Sequence, residues 1–456
     1  MQLHEDTIAA ISTPHGVGAI HVIRMSGKEA IAIANTCFNG VDLYRVQTHT
    51  IHYGHIMQHD EIIDEVMLSI MLAPRTYTRE DTVEISTHGA PYIAERVLQV
   101  LLDLGARQAR AGEFTQRAFL NGRIDLSQAE AVADMIASET QAQAQLSLQA
   151  LKGDIFVDLQ NLRTQLLDFI SLLELELDFS EEYVEFANRS QLSNLLQAVS
   201  THLSELLVSF QYGNAVKQGI NVVIVGKPNA GKSTLLNTLV QDERAIVSAA
   251  PGTTRDTIEE NIIIDGVLFR LIDTAGLRHD VDNEIEQIGI KRAYFKMQQA
   301  HIIIHVIDIH DIDTASKLDD LHRLINKEYK EAYIITAINK IDEKAFAFPI
   351  LKNTVLLSAK NKINIDELKG LFSNYVSKQK QNVNTHIVIH NIRHKESLSK
   401  ALEAIKNASE ALSQNKTADM ITSDIRIALY HIGEVTGVVT NDEILGNIFS
   451  KFCIGK

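Results

Sequence analysis

Cysteine is nearly missing: the 456 residues contain only two, Cys37 and Cys453. Two thiols cannot build a disulfide framework, so a reducing cytoplasm is the expected location. No apolar stretch reaches the ~18 residues that a membrane span needs. The opening Met1-Gln2-Leu3-His4-Glu5-Asp6 does not read as a signal peptide. Positive charge is in deficit, with a formal net charge of −15. That argues against the whole surface acting as a nucleic-acid footprint, so any RNA contact must come from local basic patches or a partner protein. Internal repeats and low-complexity linkers are also absent. What is present is an ordinary globular composition, 45% hydrophobic and 22% charged, with length for two to four domains.

Residues 1–121 read as a mixed α/β domain. Strands are expected at Thr7–Ile11 and Gly18–Arg24, around the turn Pro14-His15-Gly16, and again at Val66–Met71 and Thr82–Ser86. Thr76–Asp81 is polar and loop-like, while Ile93, Val97, Leu98, Leu101 and Leu102 have helical spacing closed by Gly105. His49, His52, His55 and His59 have metal-like spacing, but on a strand steps of three alternate faces. Gly54 and the turn-like Gln58-His59-Asp60 argue against the helix that would align them, and no metal site is expected there.

From 122 to 215 the character changes. Leu126–Leu151 is rich in Ala, Gln and Glu without Gly or Pro, and reads as one long helix. A second begins near Asp154, with a stripe of Leu159, Leu162, Leu166, Phe169, Ile170 and Leu173, and a third spans roughly Ser190–Phe210. Helical spacing returns after 380 in Leu398, Leu402, Ile405 and Leu412, then in Ile425, Ala428, Leu429 and Ile432. The expected architecture is α/β multidomain: an N-terminal α/β domain (1–121), and a helical bundle domain (122–215 and 380–456) interrupted by an inserted α/β unit (216–379).

The chain is organised around Gly226-Lys227-Pro228-Asn229-Ala230-Gly231-Lys232-Ser233, which follows the apolar run Ile220–Val225 and precedes the helix-like Thr234–Leu239. Strand, glycine-rich loop and helix are the context of a phosphate-binding loop, whose inward N–H groups and helix dipole suit a β-phosphate. Asn229, Ala230, Gly231, Lys232, Ser233 and Thr234 form the cradle; Lys232 reaches the β- and γ-phosphates and Ser233 ligates Mg²⁺. Leu268–Ile272 ends in Asp273-Thr274-Ala275-Gly276, where Asp273 would hold Mg²⁺ through water and the Gly276 N–H would meet the γ-phosphate. Asn339-Lys340-Ile341-Asp342 follows an expected strand, and Asp342 can accept from the N1–H and N2 amine of guanine. Ser358-Ala359-Lys360 follows Val355–Leu357, its backbone N–H directed at guanine O6. Four such loops in order, each after a strand, point to GTP and to an inserted P-loop (Ras-like) GTPase domain. Leu277 stands where many GTPases carry a water-placing glutamine. Charge compensation by a monovalent cation is therefore expected, with the Asn229 oxygen and backbone carbonyls suited to K⁺; Thr254 is the expected second hydroxyl ligand of Mg²⁺.

These motifs, with Pro251-Gly252-Thr253-Thr254-Arg255-Asp256, Asp273–Arg278, Glu284–Gly289 and the terminal Cys453-Ile454-Gly455-Lys456, make the chain similar over its whole length to the MnmE (TrmE) family of tRNA-modification GTPases. The resemblance implies a homodimer through the N-terminal domains, and G domains that pair in a K⁺- and GTP-dependent way. It maps the potassium ligands to the Asn229 side chain, carbonyls of Ser248 and Ala250, and Thr253. It implies Glu286, with Glu284 as rival, as the residue orienting the attacking water. It also implies an N-terminal folate-binding-like domain that holds a tetrahydrofolate derivative (5,10-methylene or 5-formyl) through Arg24, Glu84, Arg123 and Lys456, with Cys453 nearby. Cys453 is then a candidate base or nucleophile if cations lower its pKa, whereas Cys37 reads as core. The implied function is to install a (carboxymethyl)aminomethyl group on C5 of the wobble uridine of certain tRNAs, with an FAD-dependent MnmG-type partner and no membrane. The alternative is a ribosome-assembly or translation GTPase acting as a binding switch, which usually carries a basic RNA-binding module not visible here.

Overall fold

The computed structural model describes residues 6–178, 188–243, 259–273, 300–312, 323, 332–345, 352–381, 383, 385–440 and 442–456. They fall into two compact units: Met1–Ala133 with Ala150–Ile170 and Arg426–Lys456, and Asp134–Gln149 with Ser171–Ile425. Among the described residues no helix is long and apolar enough to cross a membrane.

The first unit is built on a seven-stranded sheet. Its strands are β1 (Ile8–Ile11), β2 (Ile20–Ser26), β3 (Phe38–Asn39), β4 (Thr50–Gln58), β5 (Glu61–Met71), β6 (Thr82–His88) and β7 (Arg107–Gln108), in the order β3-β4-β5-β6-β2-β1-β7. β1 and β7 run parallel and the other pairs are antiparallel. One face packs on α1 (Ala30–Cys37) and α2 (Pro91–Asp103) around Ala9, Ile23, Met25, Leu68, Ile85 and Val97. The strand alternation leaves Arg24 and Glu84 on the other face, where they are direct cross-strand partners. β4, which the sequence analysis did not anticipate, carries His52 and His55 on opposite faces, as the alternation argument requires. Among the described residues no group of His, Cys, Asp or Glu is arranged to hold a metal.

Beyond the sheet, α3 (Glu113–Leu120) leads to α4 (Leu126–Ile136), and the last helix of the chain, Asp442–Phe449, packs with α4 around Leu126, Ala129, Leu445, Phe449 and Phe452. The single helix expected over Leu126–Leu151 is instead two, α4 and α5 (Gln141–Leu151). Helix propensity is high throughout, but the break contains a Thr-x-x-Gln capping box. Thr140 Oγ1 accepts from the Gln143 N–H (3.3 Å), and Gln143 Oε1 accepts from the N–H groups of Thr140 (3.1 Å) and Glu139 (2.8 Å). The box satisfies donors that any helix start leaves orphaned, so restarting the helix here costs little. Asp125 and Gln128 start α4 by the same reciprocal bonds.

In the second unit α7 (Arg189–Gln218), capped by Asn188, runs well past the expected Phe210 and packs along the later helix Ile392–Ser413. Its six-stranded sheet comprises β8 (Ile220–Val225), β9 (Glu259–Ile264), β10 (Val267–Asp273), β11 (Ile302–Asp308), β12 (Tyr333–Asn339) and β13 (Thr354–Leu356), in the order β13-β12-β11-β8-β10-β9. Only β9 is antiparallel to its neighbour. α8 (Lys232–Glu243) and α9 (Ile365–Gln381) pack on one face of the central strands around Val222, Ile224, Leu235, Leu271, Ile304 and Leu368, and Phe269 on β10 stacks on Phe372 of α9 at 5.1 Å. The remaining long helices are α6 (Asp154–Asp178) and Ala418–Thr436.

Candidate functional site

Five parallel strands, β8, β10, β11, β12 and β13, place their C-terminal ends along one edge of the second sheet, where α/β proteins bind ligands. The loop after β8 needs its glycines. A Cβ on Gly226 (φ +152) would lie 2.3 Å from the Val306 carbonyl oxygen, and one on Gly231 (φ +96) would lie 2.1 Å from Asn339 Nδ2. Asn229 occupies the left-handed region at φ +63, which asparagine tolerates better than most residues. The loop enters α8 at Lys232, so the first N–H groups and the dipole of that helix face the cradle. Lys232 Nζ donates to the carbonyls of Gly226 (3.0 Å) and Lys227 (2.9 Å), which keeps its charge across the loop mouth. Ser233 and Thr234 are exposed there, and Ala230 is buried.

Asn339 knits the loops together. Its side chain is 3% exposed. Nδ2 donates to the Ala230 carbonyl (2.8 Å), and Oδ1 accepts from the Ala359 N–H (2.9 Å). One side chain at the end of β12 thus fixes the phosphate loop against the Ser358-Ala359-Lys360 loop. From α8, Thr238 Oγ1 donates to the Ala359 carbonyl (2.9 Å) and braces the same loop. Asp342 is exposed, and a hydrogen bond from Ser358 holds its carboxyl below the usual carboxylate range, aided by Lys360 and Asn361. The Asn361 amide reaches it at 2.9 Å. An ionised carboxylate beside a backbone N–H loop is what a guanine edge requires: two acceptors for N1–H and N2–H, and a donor for O6.

Asp308, at the end of β11, is a functional neighbour that the sequence analysis missed. It accepts from Lys340 Nζ at 2.5 Å and from the His310 N–H at 3.0 Å. Burial pushes its carboxyl up, but the Lys340 and His310 bonds prevail and hold it at about 2. The apolar run Ile302–Ile307 closed by an acid was the available signal. Ser248, Ala250, Thr253, Thr254, Thr274, Ala275, Gly276, Glu284 and Glu286 lie outside the described residues, as does the Asp273 side chain; the Asp273 backbone ends β10.

A second cluster lies in the first unit. Arg24 Nε donates to Glu84 Oε1 at 2.8 Å. The Arg24 guanidinium sits 5.7 Å from the Tyr77 ring centre, and that of Arg123 sits 5.2 Å from the same ring. Tyr77, also missed, is fixed by its hydroxyl to Thr115 Oγ1 (2.9 Å) and spaces the two cations. The chain's last residues dock nearby. Ile454 bridges to Ala111, the Gly112 N–H donates to the Cys453 carbonyl (3.4 Å), and Ser12 Oγ donates to the Gly455 carbonyl (3.0 Å). Ser12 follows β1, whose Ala10 is the register partner of Arg24. The fold therefore brings the C-terminal tail to the same sheet end as Arg24. Gly455 (φ +96) is needed because a Cβ would lie 2.4 Å from the Ile11 carbonyl oxygen. Lys456 is half-buried and Cys453 exposed, whereas burial pushes the Cys37 thiol up to about 11. The residues suit a folate: a carboxylate for a pterin edge and cations for glutamate carboxylates.

A family model described as "GTP-binding protein TrmE N-terminus" matches residues 7–123, and one described as "MnmE helical domain" matches 126–453. A protein of Flavobacterium johnsoniae named "tRNA modification GTPase MnmE" is 46% identical over 100% of both chains. A protein of the same name from Cytophaga hutchinsonii is 45% identical over 99% of this chain and 98% of its own.

Proposed function

The chain belongs to the MnmE family of tRNA modification GTPases, and on that premise we propose how it works. It is a GTP hydrolase of tRNA modification that is activated by potassium and acts as a homodimer in the cytoplasm. With an FAD-dependent MnmG-type partner it adds a (carboxymethyl)aminomethyl group to C5 of the wobble uridine, drawing one carbon from a tetrahydrofolate derivative. The observation that carries the reading is Asn339, which ties the phosphate loop to the Ser358–Lys360 loop.

In this reading the α8 N-terminus and Lys232 hold the β- and γ-phosphates, and Ser233 with Thr254 ligates the Mg²⁺ that the nucleotide brings. Asp342 and the loop N–H groups select guanine over adenine. The Asn229 side chain, the carbonyls of Ser248 and Ala250, and Thr253 would hold K⁺, which when bound would supply compensating positive charge, and Glu286 would orient the water. Within the segment Asp273, Thr274, Ala275 and Gly276, Asp273 would hold the Mg²⁺ through water and the Gly276 N–H would meet the γ-phosphate. Arg24, Glu84, Arg123 and Lys456 hold the folate, and Cys453 lies beside it as the candidate base or nucleophile.

The test is GTP hydrolysis in KCl and in NaCl at matched ionic strength, for the wild type and Asn229→Ala. A rate that rises at least tenfold in K⁺ and loses that response in the variant is expected. Equal rates in both salts would remove the potassium mechanism. Tetrahydrofolate binding to the full chain then decides whether the one-carbon role stands.

A further inference from the structure

We propose that Arg79 and Arg123 form an anion site for the additional carboxylates of a γ-linked polyglutamyl folate. The inference rests on the folate reading above and extends it to a preference among folates.

Arg79 sits at φ +59, a left-handed conformation that a residue with a Cβ adopts rarely and glycine adopts freely. Three bonds lace its loop to the turn after α3. Arg79 Nη1 donates to the Asn121 carbonyl (2.8 Å), Asn121 Nδ2 donates to the Thr78 carbonyl (2.6 Å), and Arg123 Nη1 donates to the Tyr77 carbonyl (3.2 Å). The two arginines thus cross between the same two short segments, each spending one N–H on a backbone carbonyl.

The carboxylates of this region are committed elsewhere. Glu80 accepts from Ser26 Oγ (2.7 Å) and Arg117 Nη1 (3.3 Å), Glu84 from Arg24 (2.8 Å), and Asp81 from the Ala73 N–H (2.8 Å). Among the described residues neither Arg79 nor Arg123 is bonded to a carboxylate, and both are exposed. A guanidinium has five donors, so most of each fork stays available for a ligand. In a chain of net charge −15 this is a local positive site.

Planar forks pair best with carboxylates or phosphates, and two side by side favour a ligand carrying several anions. Arg24 and Arg123, cations that the folate reading assigns to a glutamate carboxylate, flank Tyr77. Arg79, bonded to the turn that carries Arg123, stands where a further γ-linked glutamate would follow. RNA phosphate is the competing source of such charge.

The experiment is equilibrium titration of the full-length protein with 5-formyltetrahydrofolate as monoglutamate and as triglutamate, for the wild type and Arg79→Gly. Glycine suits φ +59, so the variant keeps that backbone conformation and the bonds from Asn121 and Arg123 while removing the cation. We expect the wild type to bind the triglutamate about tenfold more tightly, with the ratio falling to about twofold or less in Arg79→Gly. A wild-type ratio near one, with the monoglutamate bound, overturns the proposal and leaves the folate reading intact. Failure to bind either form removes both. A ratio unchanged in Arg79→Gly, with tRNA binding weakened, assigns the arginine to phosphate and overturns the proposal.

Discussion

Replacing Asn339 by alanine removes two hydrogen bonds at once and leaves the Ala230 carbonyl and the Ala359 N–H without their partner. Each orphaned buried group costs about 1–3 kcal/mol, so the two together should cost the inserted domain roughly 2–6 kcal/mol of stability. The two loops that the side chain holds together also lose their fixed spacing, so GDP affinity should fall by at least about tenfold, or roughly 1.4 kcal/mol. A sharper test uses Gly231, where a Cβ would sit 2.1 Å from Asn339 Nδ2. Gly231→Ala alone carries that clash together with the strain of a Cβ at φ +96. In the double variant the clash is gone and only the strain remains. The two costs should therefore be less than additive, by about 1 kcal/mol or more. Thermal melts and titration with a fluorescent GDP analogue give the four corners of the cycle. Strict additivity, or an Asn339→Ala protein that binds GDP like the wild type, would refute the view that this side chain organises the site.

Two further outcomes follow from buried groups in the first unit. Glu113, 1% exposed, accepts from Arg107 Nη2 (2.5 Å) and the Arg110 N–H (2.8 Å). Burial pushes its carboxyl up, but those donors prevail and hold it at about 2. A depressed folded-state pKa contributes stability above the ordinary glutamate range and loses it as pH falls toward about 2. Urea melts should show the wild type losing about 2–3 kcal/mol more than Glu113→Gln across that window; parallel curves would contradict the assignment. For the thiols, a maleimide at pH 8 should label Cys453 once in the native protein and leave Cys37 unlabelled, as read by peptide mass; fast labelling of Cys37 would deny its burial.

Much of the inserted domain was legible because its signals are local. The run Ile220–Val225 is apolar but for Asn221, as suits a strand buried on both faces, and the observed β8 has those bounds. The glycine-rich loop and the strand ends before Asn339 and Ser358 could be read one segment at a time. What could not be read was their mutual bonding: Asn339 reaches Ala230 across 109 positions, and no periodicity reports such a contact. Asp308 escaped for the same reason, since its role depends on Lys340, which stands just past the end of the neighbouring strand. The helix break at 137–140 was hidden differently. Ala, Gln and Glu favour helix on both sides, so composition outweighed a capping box only four residues long.

That break has a place in the architecture. Asp134, in the last turn of α4, accepts on one oxygen from Lys217 Nζ (2.7 Å) and from His390 Nε2 (3.0 Å). Lys217 lies just before β8, where the chain passes into the nucleotide-binding sheet, and His390 lies just before the helix Ile392–Ser413, where it has returned. One carboxylate therefore bonds both crossings. Burial pushes that carboxyl up, yet its two partners hold it below the usual range. The first turn of α5 adds two more ties: Gln143 Nε2 donates to the Lys217 carbonyl (3.0 Å), and the Ala142 N–H donates to the carbonyl of Gly266, at the tip of the β9–β10 hairpin (3.2 Å). A continuous helix across 137–140 would have no free first-turn N–H at Ala142 and no capping residue at 143 turned toward Lys217. The chain instead ends α4 at the carboxylate and restarts α5 at the hairpin. The hairpin's other end leads into Asp273, so the restart ties the helices to the strand that carries a nucleotide motif.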